Sequence, residues 1–184
     1  MCGIVGYLGN NEAAPILVEG LKKLEYRGYD SAGIAVNNGQ DINITRKTGK
    51  LEKLAEAVEV NPPQGVVGIG HTRWATHGKP SDENAHPHSD CSGEFVIVHN
   101  GIIENYLSLK EELIDEGHKF TSETDTEVLS HLLEKYYDGD LVKAVRKVIT
   151  RIEGAYAFVA YTKHEPNRLV AVREDSPLII GLGE

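Results

Sequence analysis

The chain has 184 residues, 40% hydrophobic and 26% charged, enough to build one domain with its own core and too apolar to be dominated by disorder. Its 19 Lys and Arg against 28 Asp and Glu leave a formal charge of −9, which argues against a phosphate-tracking nucleic-acid binder. No apolar run reaches the roughly 18 residues of a membrane span, two cysteines are too few for a disulfide framework, and the start MCGIVGYLGN lacks the charged region of a secretory signal. A soluble, reducing, cytoplasmic setting is expected.

The apolar run Cys2 to Leu8 predicts a buried strand closed by Gly9-Asn10-Asn11. Ala14 to Leu24 carries apolar residues at 17, 18, 21 and 24, a helical face, with Pro15 near the first turn where its missing N–H does no harm. Ala32 to Val36 predicts a strand, and Ile42 to Thr48 its hairpin partner across Asn38-Gly39. A helix from Lys50 to Val58 is stopped by Asn61-Pro62-Pro63. Next come a strand from Gly65 to Gly70, a long polar stretch from His71 to Asp90 that reads as an active loop, and a buried strand from Phe95 to His99. Leu107 to Glu116 and Thr126 to Tyr137 are helical by periodicity, the second with Asp125 at or near its N-cap. A further helix, Leu141 to Ile152, precedes three strands at Ala155 to Tyr161, Arg168 to Val172 and Leu178 to Leu182. Strands in two batches with helices between them favour sheets covered by helices, an α/β or α+β layered fold.

Cys2 carries the most chemical information. Once Met1 is removed, its thiol and a free α-amine share one Cα, and an amine with an ordinary pKa of about 7.7–8.0 is a usable base near neutrality. Base and nucleophile then occupy a single residue. The plain alternative is a small buried hydrophobe at a strand start. Asn100-Gly101 follows a buried strand and offers an amide donor beside a Gly N–H, either an oxyanion hole or a simple Asn-Gly turn. Arg73 offers a planar fork for a carboxylate, or else a surface salt bridge. Trp74, the single tryptophan, sits among polar residues and suits a lid or stacking wall. Asp125 either caps a helix or accepts from a substrate ammonium. A carboxylate fork, an ammonium acceptor and a carbonyl-attacking thiol together describe a free amino acid with an acyl side chain, and glutamine is the obvious candidate.

Cys2-Gly3-Ile4-Val5-Gly6, Leu24 to Gly33, His71 to Gly78, Asn84-Ala85-His86-Pro87-His88, His99 to Asn105 and Ser122 to Glu127 span nearly the whole chain in order. In these motifs the chain resembles the class II, N-terminal-nucleophile glutamine amidotransferases, and within them the glutaminase part of the hexosamine-forming aminotransferase family. The resemblance implies an α+β fold of αββα type, two antiparallel sheets between helical layers, with 1–184 a glutaminase domain lacking its last strands and the sugar-isomerase domains. It implies Cys2 as nucleophile, Asn100 and Gly101 as oxyanion hole, Arg73 for the glutamine carboxylate and Asp125 for its ammonium. Thr76 and His77 would contribute to the glutamine pocket, Trp74 to the lid, and Arg27 and Gly28 to a loop lining the cysteine. It further implies hydrolysis of glutamine through a Cys2 thioester, with the ammonia used by absent domains to convert fructose 6-phosphate to glucosamine 6-phosphate in a homo-oligomeric enzyme. No cofactor, metal, nucleic acid or membrane is expected. The alternatives are an unprocessed, inactive glutamine-binding fragment, since Met1 turns the Cys2 nitrogen into an amide, and the glutaminase part of another class II amidotransferase. A metal module on His86, His88 and Cys91 is set aside because no fourth ligand is spaced nearby.

Overall fold

The computed structural model describes residues 2–74 and 78–183. Two four-stranded antiparallel sheets face one another, and helices cover the outer side of each. The first sheet has the order β1-β4-β2-β3, from β1 (Gly3–Leu8), β2 (Ser31–Asn37), β3 (Ile42–Thr48) and β4 (Val67–Arg73). The second has the order β5-β6-β7-β8, from β5 (His88–Ser89), β6 (Phe95–Gly101), β7 (Tyr156–Thr162) and β8 (Val170–Glu174). Between them lies a core of Ala35, Ile69, Val96, Val98, Val159 and Tyr161. This is the expected αββα arrangement.

Each helix forms because its apolar residues recur every three or four positions. α1 (Ala13–Lys22) buries Ala13, Ala14, Leu17, Val18 and Leu21, and α2 (Leu51–Val60) buries Leu51, Leu54 and Val58 against the first sheet. On the second sheet lie α3 (Tyr106–Asp115), α4 (Glu127–Tyr136) and α5 (Leu141–Ile149). Asp140 caps α5 by accepting from the N–H groups of Val142 and Lys143 at 2.9 and 3.3 Å. α4 is the central helix of its layer, buried all round through seven consecutive residues, Glu127 to Leu133. That burial holds the turn preceding it in a fixed place. No helix among the described residues is long and apolar enough to cross a membrane.

Three expectations need correction. β4 runs on to Arg73 because His71, Thr72 and Arg73 continue its ladder, opposite Gly33, Ala32 and Ser31 of β2 and Ile4 and Gly3 of β1. The stretch from His71 to Asp90 is therefore not all loop; its start is strand, and His88–Ser89 forms β5. Asp125 lies one residue before the N-cap of α4, near it as expected, but the capping role does not fall to it. Thr126 holds the cap position, and the Asp125 carboxylate instead accepts the Ile103 N–H at 2.8 Å. Leu178 to Leu182 is not a strand: it pairs with no described neighbour and leaves Ile179, Ile180 and Leu182 at least three-quarters exposed. An apolar run becomes a strand only where an edge accepts its hydrogen bonds.

Candidate active site

The site forms where the ends of β1, β4 and β6 meet. Gly3 of β1 pairs with Thr72 of β4, which brings Cys2 beside the end of β4. The Cys2 sulfur accepts the Trp74 backbone N–H at 3.2 Å, and its carbonyl accepts from Arg27 Nε at 3.2 Å and from Asn100 Nδ2 at 3.4 Å. Burial pushes the Cys2 thiol above its ordinary range, against the opposing pull of the Trp74 N–H and the Arg73 charge. A thiol in that state needs a base at the moment of attack.

Arg73 is buried, with 3% of its surface exposed, which excludes the surface salt bridge. Its Nη2 donates to the Gly78 carbonyl at 3.1 Å, and Asp30 and Asp125 support its charge against desolvation. Asp125 is equally buried and sits just before α4. Gly28 packs flat on the Arg73 backbone: a Cβ there would lie 2.7 Å from the Arg73 carbonyl. Trp74 is half exposed, its ring edge-on to Tyr29 at 5.4 Å. Cys2, Arg27, Arg73, Trp74, Asn100, Gly101 and Asp125 all border one cavity of about 550 Å³. Leu178 and Ile179 border it too, a contribution that the strand expectation missed. Thr76 and His77 lie outside the described residues, as does Met1.

Asn100 and Gly101 end β6 opposite Ala157 and Tyr156, so they do not form a free Asn-Gly turn. Gly101 holds φ at +122°, and a Cβ would meet the Ala155 carbonyl oxygen at 2.1 Å. Only glycine fits there. The Asn100 amide is oriented from behind by His71, whose Nε2 lies 2.9 Å from Asn100 Oδ1. Burial drives the His71 pKa down to about 3, so the ring is neutral, and an Nε2–H donating to Oδ1 turns the amide NH2 toward Cys2. His71 had no role assigned from the sequence. Its signal is the strand period: it lies two residues before Arg73, on the same face of β4.

His71 is one of four buried histidines that support the site. Its ring stacks on His86 at 4.2 Å, and His86 meets His88 edge-on at 4.6 Å. His86 and His99 both reach the Thr126 hydroxyl at 2.9 Å, and His88 reaches that of Thr124 at 3.1 Å. The column thus clamps the 122–127 turn that presents Asp125. His86 and His88 are committed to these hydroxyls, and Cys91 faces other partners, so the H-x-H-x2-C metal module does not assemble.

Burial lowers the pKa of His71 and His88 to about 3 and that of His86 well below its ordinary value. Unfolded histidine titrates near 6.5. Below that pH the unfolded chain binds protons that the folded one refuses, so stability falls as pH drops from about 6.5 toward 3. Each such histidine contributes up to about 1.4 kcal/mol per pH unit in that window. Urea midpoints are therefore expected to decline steeply between pH 7 and 5; a flat profile would mean that the rings charge in place.

A family profile described as a glutamine amidotransferase domain matches residues 71–182. The chain is 60% identical over 183 residues to a glutamine–fructose-6-phosphate aminotransferase (isomerizing) of Caldanaerobacter subterraneus subsp. tengcongensis, covering all of this chain and 30% of that protein. It is 59% identical over 184 residues to the protein of the same name from Aquifex aeolicus, covering 31% of it. The chain thus spans less than a third of the length of these curated relatives. Among solved structures, a glutamine phosphoribosylpyrophosphate amidotransferase from B. subtilis superposes with a TM-score of 0.76 at 31% identity, over 89% of this chain and 35% of that one. Sequence profile, relatives and layered architecture agree: the chain belongs to the glutamine amidotransferase domain family, with the N-terminal-nucleophile fold.

Proposed function

We propose that residues 1–184 form a glutaminase domain that hydrolyses L-glutamine to glutamate and ammonia through a thioester on Cys2. The observation that carries this reading is the placement of a half-buried thiol, an oriented amide, a buried guanidinium and a buried carboxylate around one cavity. Arg73 receives the substrate carboxylate and Asp125 its ammonium, which fixes the side-chain amide relative to Cys2. Once Met1 is gone, the α-amine of Cys2 takes the thiol proton and the sulfur attacks the amide carbon. The Asn100 amide and the Gly101 N–H hold the oxyanion that develops. The carbon–nitrogen bond breaks, ammonia leaves with the proton returned, and water hydrolyses the thioester to glutamate. Trp74 covers the site during these steps, with Thr76 and His77 adding to the pocket and Arg27 and Gly28 bracing the cysteine.

The names of the relatives support a destination for the ammonia: amination of fructose 6-phosphate to glucosamine 6-phosphate by regions beyond those this chain spans. Two cysteines that both stay free suit a reducing cytoplasm. The test compares protein that starts at Cys2 with protein that keeps Met1, using intact mass for the terminus and ammonia release for activity. Only the processed form is expected to turn over and to take a covalent adduct from an electrophilic glutamine analogue. Full activity with Met1 attached would refute the terminal base.

A further inference from the structure

Outside the lining of the cavity described above, four side chains from three separate segments converge. Cys91 comes from the turn between β5 and β6, His118 from the connector after α3, and His131 and Glu134 from one face of α4. Their ligand atoms all lie within 4.8 Å of one another, and among the described residues no other group of His, Cys, Asp and Glu converges in this way. His118 Nδ1 is 3.0 Å from Glu134 Oε2, His131 Nδ1 is 3.7 Å from the same oxygen, and Cys91 Sγ is 3.8 Å from His131 Nδ1. A tetrahedral ion with bonds of about 2.0–2.3 Å needs ligand-to-ligand separations of roughly 3.3–3.6 Å. The observed separations bracket that range.

A second observation sets this cluster apart from an ordinary polar contact. Glu134 Oε2 is a buried oxygen without a hydrogen-bond partner, despite the His118 nitrogen 3.0 Å away. The two groups lie close yet do not meet as donor and acceptor. The surroundings supply part of what metal sites use outside their ligands, although the far nitrogen of His131 makes no hydrogen bond here. The far nitrogen of His131 faces the Glu127 carboxylate at 3.7 Å, the Lys119 N–H donates to Cys91 Sγ at 3.2 Å, and the Phe120 ring packs on the His131 ring at 4.4 Å.

We propose that Cys91, His118, His131 and Glu134 form a structural zinc site. A thiolate, two imidazoles and a carboxylate are borderline-soft donors suited to a four-coordinate divalent ion. One thiolate and one carboxylate balance the two positive charges, so the filled site is neutral. Four protein ligands leave no open position, which makes the role structural. The ion ties the β5–β6 turn and the 118–120 connector to α4, the helix that begins two residues after Asp125. This differs from the sequence expectation of no metal, and it stands independently of the glutaminase reading.

The test uses the intact protein, dialysed against zinc at neutral pH and freed of excess, with metal measured by elemental analysis and thermal midpoints read with and without chelator. One zinc per chain is expected, with a midpoint that falls on chelation. Cobalt in its place is expected to show tetrahedral bands and a thiolate charge-transfer band that persist in Cys2→Ala, the chain's other thiol, and vanish in Cys91→Ser. Cys91 is exposed and His118 partly buried, and Cys91→Ser and His118→Ala are both expected to lose stoichiometric zinc and the response to chelator. If wild type retains less than about a tenth of an equivalent, or the cobalt spectrum lacks a thiolate band, the proposal fails, whether or not the variants fold. Glutamine turnover enters none of these readouts, so failure here leaves the glutaminase reading standing, and the reverse holds too.

Discussion

Cys2→Ala is expected to reduce glutamine hydrolysis by on the order of 10⁴- to 10⁶-fold while leaving glutamine binding close to that of the processed wild type. The asymmetry follows from where the interactions sit. In the proposed mechanism, binding rests on the substrate's two charged ends, held by Arg73 and Asp125, both nearly fully buried. The thiol contributes only when the carbon–sulfur bond forms. Burial lifts the thiol above its ordinary pKa, so little thiolate exists without a base, and no other sulfur borders the cavity among the described residues. Calorimetric titration of glutamine into the variant, beside an ammonia assay, separates the two effects. A variant that lost binding as completely as turnover would show that Cys2 holds the cleft together and would remove the nucleophile assignment.

Asn100→Ala is the second large effect. Loss of one oxyanion donor costs about 2.7–4 kcal/mol of transition-state stabilisation, or roughly 10²- to 10³-fold in kcat, with KM for glutamine changed far less. Asn100 is tied to Cys2 by a long contact of 3.4 Å, which the amide is free to exchange for a developing oxyanion. Its second amide hydrogen adds a further donor. His71 contacts Asn100 and does not line the cavity, so it is a positioning residue. His71→Ala is expected to reproduce part of the kcat loss and to add little when combined with Asn100→Ala, because the two substitutions remove one oriented donor. Equal losses in kcat and in glutamine binding for Asn100→Ala would contradict the oxyanion role.

The comparison between chain and fold is most instructive where alternatives stood open. Arg73, Asp125 and Asn100-Gly101 each had an ordinary reading: a surface ion pair, a helix cap and a turn. Their residue types could not separate the readings, because a guanidinium, a carboxylate and an amide do the same hydrogen bonding in either place. The structure separates them by burial and pairing: Arg73 lies inside, Asp125 accepts from Ile103, and Gly101 ends a ladder with a φ that only glycine tolerates. The histidine column shows the opposite limit. From the sequence, His86 and His88 are weighed as metal ligands and His71 and His99 have no role, and only the stacking of four segments reveals that His71 aims Asn100 while His86, His88 and His99 hold the Asp125 turn.

The sequence by itself determined the layered architecture and the position of nearly every strand and helix. These are local properties: apolar periods of two and of three to four select strand and helix. Tertiary structure alone decided that the apolar run from Leu178 to Leu182 has no edge to join, and that Cys91, His118, His131 and Glu134 meet. Those outcomes depend on which segments the two sheets and α4 bring side by side, and spacing along the chain carries no record of distance across a core.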